Sequence, residues 1–404
     1  MKAFARLLSV MILLSFLAGC AAPSPVAPQT AGNQATQPPA AEPTLTAKET
    51  WLKTNQLGKY DKGEQDWAAI EAAAKKEGSV IVYANSSKIA KAAEMWAEKY
   101  PDIKLEGFDL GGDDVLSKTK GEQESSLFVG DVWFSSGGAE LYGDVLPKEY
   151  VWRFVPSGLN VPDELTHPLL VSRFGTTLLA YNSELNKTCP VKNLWELTQP
   201  EWKGKVVIED PLNDSSTLSK LITIARHADE MKAAYKELYG KDPELDADTP
   251  DAGWLWLKRF AENGPIPQPG GDEVDAAFAT PGMKENYLAF TSYSNYPDVQ
   301  DGKLAFEPCF DAKPVAGIQN QSYLGIMNQA PHPNAAKLFI RFVMEEGKEP
   351  WAKYGNYFAL TDYEVDEGMK TLDEIRELTW LLDEKYAYDN MVKARDFYLL
   401  NLGK

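Results

Sequence analysis

Serine, asparagine and glycine recur in this chain at one kind of place, just after an apolar run and just before a helical pattern. Asn85-Ser86-Ser87, Asp109-Leu110-Gly111-Gly112 and Ser135-Ser136-Gly137-Gly138 are three such segments, and Asp210 to Thr217, ending in Ser215-Ser216-Thr217, is a fourth. Hydroxyls and unpaired N–H groups at helix starts, together with the positive end of the helix dipole, suit an anionic or carbonyl-bearing ligand. Single serines in such loops also serve as plain N-caps, so the recurrence carries more weight than any one segment. Other side chains pull in different directions. Arg153 and Arg173 could pair a carboxylate or phosphonate, whereas Asp109, Asp113, Asp114 and Asp210 could hold a cation such as a polyamine. Trp133, Trp254, Trp256 and Tyr323 could stack on a planar or cationic ligand or fill the core. The charge of the bound molecule therefore stays open at this level.

Reactive constellations are missing. The sequence has no Gly-x-Ser-x-Gly elbow, no His-Glu-x-x-His and no Gly-x-x-x-x-Gly-Lys loop, so nucleophilic, zinc and nucleotide chemistry lack their mechanical parts. Nothing singles out two acids as a glycosidase pair, and an enzyme is not expected. With three cysteines and three histidines, a Cys-rich zinc module is excluded too. A formal charge of −18 over 404 residues argues against a phosphate-tracking nucleic-acid binder.

The elements that must position the loops follow from patterning. Asp66 to Glu77 is a capped amphipathic helix stopped by Gly78, and Ser79 to Tyr83 is a buried strand. A helix over Lys88 to Lys99 ends before Pro101, a strand over Ile103 to Phe108 follows, then a helix over Asp114 to Ser125 and a strand over Asp131 to Phe134. Such alternation predicts an α/β fold with a mostly parallel sheet and the loops gathered along one edge. Further on, Lys205 to Glu209 reads as a strand feeding a helix from Leu218 to His227, and Tyr287 to Tyr293 as another strand.

At the N-terminus, Lys2 and Arg6 precede an apolar run from Leu7 to Ala18 that is too short to span a bilayer. It ends in Leu17-Ala18-Gly19-Cys20, which resembles a bacterial lipobox and implies cleavage before Cys20 and lipidation of its sulfur. Residues 21–48, rich in Ala, Pro, Thr and Gln, have the composition of a disordered tether. Export places Cys189 and Cys309 in an oxidising compartment, where they either pair or remain as two buried thiols.

An ordered set of segments gives these features a family. Glu77-Gly78-Ser79-Val80-Ile81-Val82-Tyr83, Lys99-Tyr100-Pro101-Asp102-Ile103 and Gly130-Asp131-Val132 resemble the first lobe of type 2 periplasmic solute-binding proteins. Gly175 to Asn182, Leu194-Trp195-Glu196-Leu197, Pro200 to Val206 and Glu209-Asp210-Pro211 resemble the crossover into the second lobe, and Ala330 to Ile340 the return helix. The resemblance covers roughly residues 64 to 360. It implies two α/β lobes, each on a mostly parallel sheet, joined by a double-crossing hinge, with crossings at Leu179 to Asn182 and near Pro308 to Lys313. It is most similar to the branch of ferric-iron, thiamine, polyamine and phosphonate binders that serve ABC-type importers.

The N-terminal pattern places a lipoprotein signal peptide over 1–19 and the tether over 20–48, and the resemblance implies a first lobe over 49–181 and 312–404 and a second lobe over 182–311. The residues from Thr361 to Lys404 read as helices packed on the first lobe. Ligand-binding candidates are Ser86, Ser87, Asp109, Gly112, Ser135, Ser136, Gly137 and Tyr181. From the second lobe and its surroundings come Asp210, Ser215, Ser216, Thr217, Tyr293, Tyr296 and Tyr323. In a ferric-iron member the metal ligands would be Tyr293 and Tyr296, although related iron binders use adjacent tyrosines and here two residues intervene. Placing Cys189 and Cys309 in one lobe near the hinge favours a disulfide. The expected protein is a monomer without cofactor, held outside a bacterial cytoplasmic membrane by lipidated Cys20, which captures a small solute by hinge closure and delivers it to a permease. An anchored scaffold or adhesion domain is the alternative of another class.

Overall fold

A computed structural model describes residues 45–352 and 354–404. The expected signal peptide, Cys20 and most of the expected tether lie outside them. Twelve strands run in chain order as β1 (Ser79–Ala84), β2 (Lys104–Asp109), β3 (Val132–Ser135), β4 (Val151–Trp152), β5 (Leu170–Asn182), β6 (Val206–Glu209), β7 (Ile266–Gln268), β8 (Leu288–Ser292), β9 (Phe306–Pro308), β10 (Gly317–Met327), β11 (Asn356–Phe358) and β12 (Thr379–Leu381). Their hydrogen-bonded path is β2-β1-β3-β10-β5-β8-β6-β7. At one end β2, β1 and β3 are parallel, at the other β7, β6 and β8 are parallel. Between these groups lie the two long strands β5 and β10, antiparallel to one another. Each belongs to both halves. The N-terminal part of β5 pairs with β11 and its C-terminal part with β8 and β9, so the chain passes from one half to the other within a single strand.

Helices cover both groups for reasons visible in the sequence. Asp66 caps the Trp67–Glu77 helix through Ala69 N–H, and Gly78 ends it at φ 78°, a left-handed conformation that costs glycine nothing. The expected helix after β6 begins three residues earlier than its apolar pattern suggests. Asp214 accepts from Thr217 N–H, so Ser215–Arg226 is helical and Ser215, Ser216 and Thr217 form its first turn. The return helix is Pro333–Met344, with ten of its twelve residues buried against the first half.

Separate apolar cores serve the two halves. One joins Val80, Val82, Trp96, Phe134, Leu324 and Phe339, and another joins Leu179, Trp195, Val206, Leu221, Trp254 and Trp256. Trp254 and Trp256 thus lie in the second core. Cys189 and Cys309 are bonded, with Cα atoms 5.3 Å apart, closing a loop of 120 residues inside the second half.

Two placements differ from the sequence reading. The second long connection is β10, beginning at Gly317, whereas residues 308–313 form the end of β9 and the turn after it. The C-terminal helix Glu384–Asn401 rests on the second half as well as the first. Its Ala387, Ala394 and Tyr398 join the core of Trp254 and Leu218, and Phe397 meets Trp254 edge to face. On its other side Glu384 lies against Gly138 and Tyr388 against Gly143, so closely that a Cβ on either glycine would fall about 2 Å from the facing side chain. Small inward residues, rather than a leucine stripe, make this helix dock, which is why its face was not apparent from apolar periodicity.

A candidate solute-binding cleft

Strand alternation builds the floor of a cleft between the two halves. On β5, Arg173, Gly175 and Thr177 are two residues apart and share a face; on β10, Ile318, Asn320 and Ser322 do the same. The register pairs Arg173 with Ser322, Gly175 with Asn320 and Thr177 with Ile318. All six line a cavity of about 330 Å³.

Walls come from the serine-bearing loops. The segment after β1 supplies Asn85 and Ser86, and the loop after β3 supplies Ser136. The Ser215–Arg226 helix supplies Ser216 and Thr217 from its first turn and Lys220 from its second. Asn85 donates to Ser136 Oγ at 2.6 Å, Trp351 Nε1 donates to Ser86 Oγ at 2.9 Å, and Thr217 Oγ1 donates to Glu209 at 3.0 Å. Phe290 and Trp351 add apolar surface.

Arg173 is the electrostatic feature of this cavity. Its side chain is buried, at 8% exposure. It donates through Nη1 to Ser322 Oγ and lies 5.6 Å over the Phe134 ring, while Nε has no partner. No carboxylate pairs with it among the described residues. Desolvation alone therefore acts on the guanidinium and pushes its pKa down to about 10. A buried cation without a counter-charge is strongly disfavoured unless an anion arrives. Lys88 and Lys220 face the same cavity, against a single carboxylate, Glu209.

A second chamber of about 200 Å³ adjoins the first, sharing Asn85, Ser136, Glu209 and Ser216. Gly112 and Gly137 line it, along with Asp113, Glu140, Asp214 and Ser215. Here the halves touch directly: Ser215 Oγ donates to Asp113 Oδ1 at 2.6 Å. Burial raises the Glu140 pKa, and the carboxylates of Asp113 and Asp214 add to that shift, opposed by a hydrogen bond from Ser215.

The sequence-selected residues divide in two. Ser86, Ser136, Ser216 and Thr217 line the larger chamber, and Gly112, Ser136, Gly137, Ser215 and Ser216 the smaller. The others line neither. Ser87 and Asp109 are exposed. Ser135 is buried and accepts from Gly137 N–H at 3.3 Å. Asp210 organises its own turn, accepting from Leu212 N–H and Asn213. Tyr181 joins the second core. Tyr323 is buried and donates to Glu384 at 2.6 Å.

Tyr293 and Tyr296, the tyrosines expected for ferric iron, stand together at 5.6 Å between ring centroids but off the cavity lining. Tyr293 packs edge to face on Phe310 and Tyr354, and Tyr296 donates to Glu307 at 2.9 Å. Burial raises both phenols well above their ordinary pKa in the metal-free protein. Among the described residues no group of three His, Cys, Asp or Glu side chains is placed to hold a metal ion. Glu209, Lys220, Asn320 and Ser322 were not singled out by sequence reading. Polar residues at alternate positions of a buried strand were the available signal for the last two.

No protein-family model matches the sequence, and no curated protein is similar to it in sequence. Solved structures are similar in fold. Iron-bound HitA from Pseudomonas aeruginosa superposes at TM-score 0.63 and 16% identity, over 79% of this chain and 99% of that one. The periplasmic binding protein AfuA from Actinobacillus pleuropneumoniae, with fructose-6-phosphate, gives TM-score 0.58 at 17% identity, over 80% and 98%. AgtB from A. tumefaciens, with agropinic acid, gives 0.57 at 16%, over 81% and 99%. The fold is thus the two-lobed type 2 periplasmic-binding-protein fold.

Proposed function

We propose that the chain is the solute-binding component of an ABC-type importer, and that its solute carries an anionic group. The observation that carries this reading is Arg173, a buried guanidinium with an unpartnered Nε on the floor of the cleft between the halves. Hydroxyls and amides surround it, and the Ser215–Arg226 helix points its N-terminal turn into the same space. An anion there satisfies Arg173 and touches both halves at once.

Differential contact is what closes the lobes: a solute bound by both jaws stabilises the closed arrangement relative to the open one by the contacts it makes only there. We place the hinge at the middle of β5 and β10, around Gly175 and Asn320, where strand pairing passes from one half to the other. The first lobe then holds β1 to β3 and the return helix, and the second holds β6 to β8. Lipidation at Cys20 and a tether ending before the Ala47–Thr54 helix, two residues sooner than the composition suggests, would hold the loaded protein close to its permease. No helix among the described residues is long and apolar enough to cross a membrane.

A thermal-shift screen of organic phosphates, phosphonates, carboxylates, polyamines, sugars and ferric chelates tests the reading. An anionic organic solute at 100 times its Kd should add about 2.7 kcal/mol of stability, roughly 3–4 °C for a folded unit of this size. Stabilisation by sugars or polyamines alone would refute it.

A further inference from the structure

The cleft is electrically two-ended. In the larger chamber Arg173 and Lys220 face one carboxylate; in the smaller, Asp113, Glu140, Glu209 and Asp214 line the wall with no cationic side chain among them. None of these four acids forms an ion pair among the described residues. Their hydrogen bonds come from hydroxyls and a backbone N–H: Ser215 to Asp113, Thr217 Oγ1 to Glu209 and Thr217 N–H to Asp214. The acids come from different elements. Asp113 and Glu140 follow β2 and β3 in one half, while Glu209 and Asp214 flank the turn after β6 in the other. Closing the halves therefore gathers carboxylates that form no ion pair among the described residues, next to an arginine that no carboxylate pairs with. The same occupant can answer both, because Asn85, Ser136, Glu209 and Ser216 line both chambers.

We infer that the solute is a zwitterion, with a phosphate-like or carboxylate group at Arg173 and a protonated amine in the acidic chamber. This deepens the anion reading and rests on it. A divalent cation would answer the acids less well, since no three of them converge as metal ligands, whereas an ammonium with its three donors can be shared among spread-out carboxylates.

Matched pairs test the inference on the full chain, freed of bound solute by partial unfolding and refolding. Calorimetric titration would compare phosphoethanolamine with ethyl phosphate, and γ-aminobutyrate with butyrate, so that each pair differs chiefly by the amine. The expected result is at least about a tenfold tighter Kd for the amine in one pair, the worth of a charge-assisted hydrogen bond. Which pair shows it distinguishes a phosphate-like head from a carboxylate. Glu140→Gln should shrink that ratio. A ratio near or below one in both pairs overturns the zwitterion while leaving the anion reading in place. Failure of all four compounds to bind overturns both. If magnesium or calcium raises ethyl phosphate or butyrate to the level of its amine partner, the acids serve a metal and the inference falls.

Discussion

Replacing Arg173 by methionine should make the empty protein more stable and the loaded one much weaker. Methionine keeps a side chain of similar length against Phe134 and removes the charge. In the empty cleft, desolvation takes the guanidinium more than two units below its ordinary value, to about 10. At 1.36 kcal/mol per pKa unit, that is a cost of about 3 kcal/mol throughout the pH range well below 10. The sign is that of a base whose folded pKa lies below its unfolded one: the unfolded chain binds the proton better, so the cost is present at neutral pH and disappears only in strong alkali. Loss of the hydrogen bond to Ser322 gives back about 1–2 kcal/mol. The net expectation for Arg173→Met is therefore a gain of about 1–2 kcal/mol, read from urea denaturation of solute-free protein. Affinity should move the other way, by about 2–5 kcal/mol, or roughly 30-fold to several thousand-fold in Kd. A variant that is less stable when empty, yet binds as tightly as the parent, would show that Arg173 is a structural residue.

Four further outcomes follow from the same geometry. Replacing Ser136 and Ser216 together by alanine should weaken binding by about 2–4 kcal/mol through two lost hydrogen bonds in a dry cleft, and unchanged calorimetry would remove both from the site. Burial of Glu384 pushes its carboxyl up to about 8; the folded state then holds a proton that the unfolded state has lost. Stability should accordingly fall by a few kcal/mol as pH rises from about 4.5 to about 8 and level off above, while Glu384→Gln should flatten that slope in denaturation series. Reducing the Cys189–Cys309 bond should cost about 2–5 kcal/mol, given the 120-residue loop it closes; an unmoved urea midpoint under reductant would contradict this. Cys20→Ser should shift the protein from the membrane fraction to the soluble one, and membrane retention would refute lipidation.

Much of the fold was legible because its signals are local. Asp66 and Gly78 bracket a helix through cap chemistry, and β1 to β3 read as apolar runs followed by permissive loops. Half of the cleft was legible for the same reason, since Ser86, Ser136, Ser216 and Thr217 advertise themselves as hydroxyls at element ends. The floor was not. Arg173, Asn320 and Ser322 sit inside long strands, and only the pairing of β5 with β10, some 150 residues apart in the chain, brings them together. Arg173 stood out in the sequence merely as one of two candidate arginines, because the absence of a carboxylate partner is a property of packing. Tyr293 and Tyr296 show the converse: two tyrosines at the place where related iron binders carry ligands, though not adjacent as there, in side chains that the fold packs into an aromatic cluster with Tyr354.

Amide hydrogen exchange, with and without the solute found by the stability screen, tests the central claim most directly. Binding in the cleft predicts slowed exchange at once in Asn85–Lys88, Ser136–Gly138 and Ser215–Thr217, with a change around Gly175 and Asn320 where the halves join. Protection confined to one half, or appearing elsewhere while these segments stay unchanged, would contradict capture between the lobes.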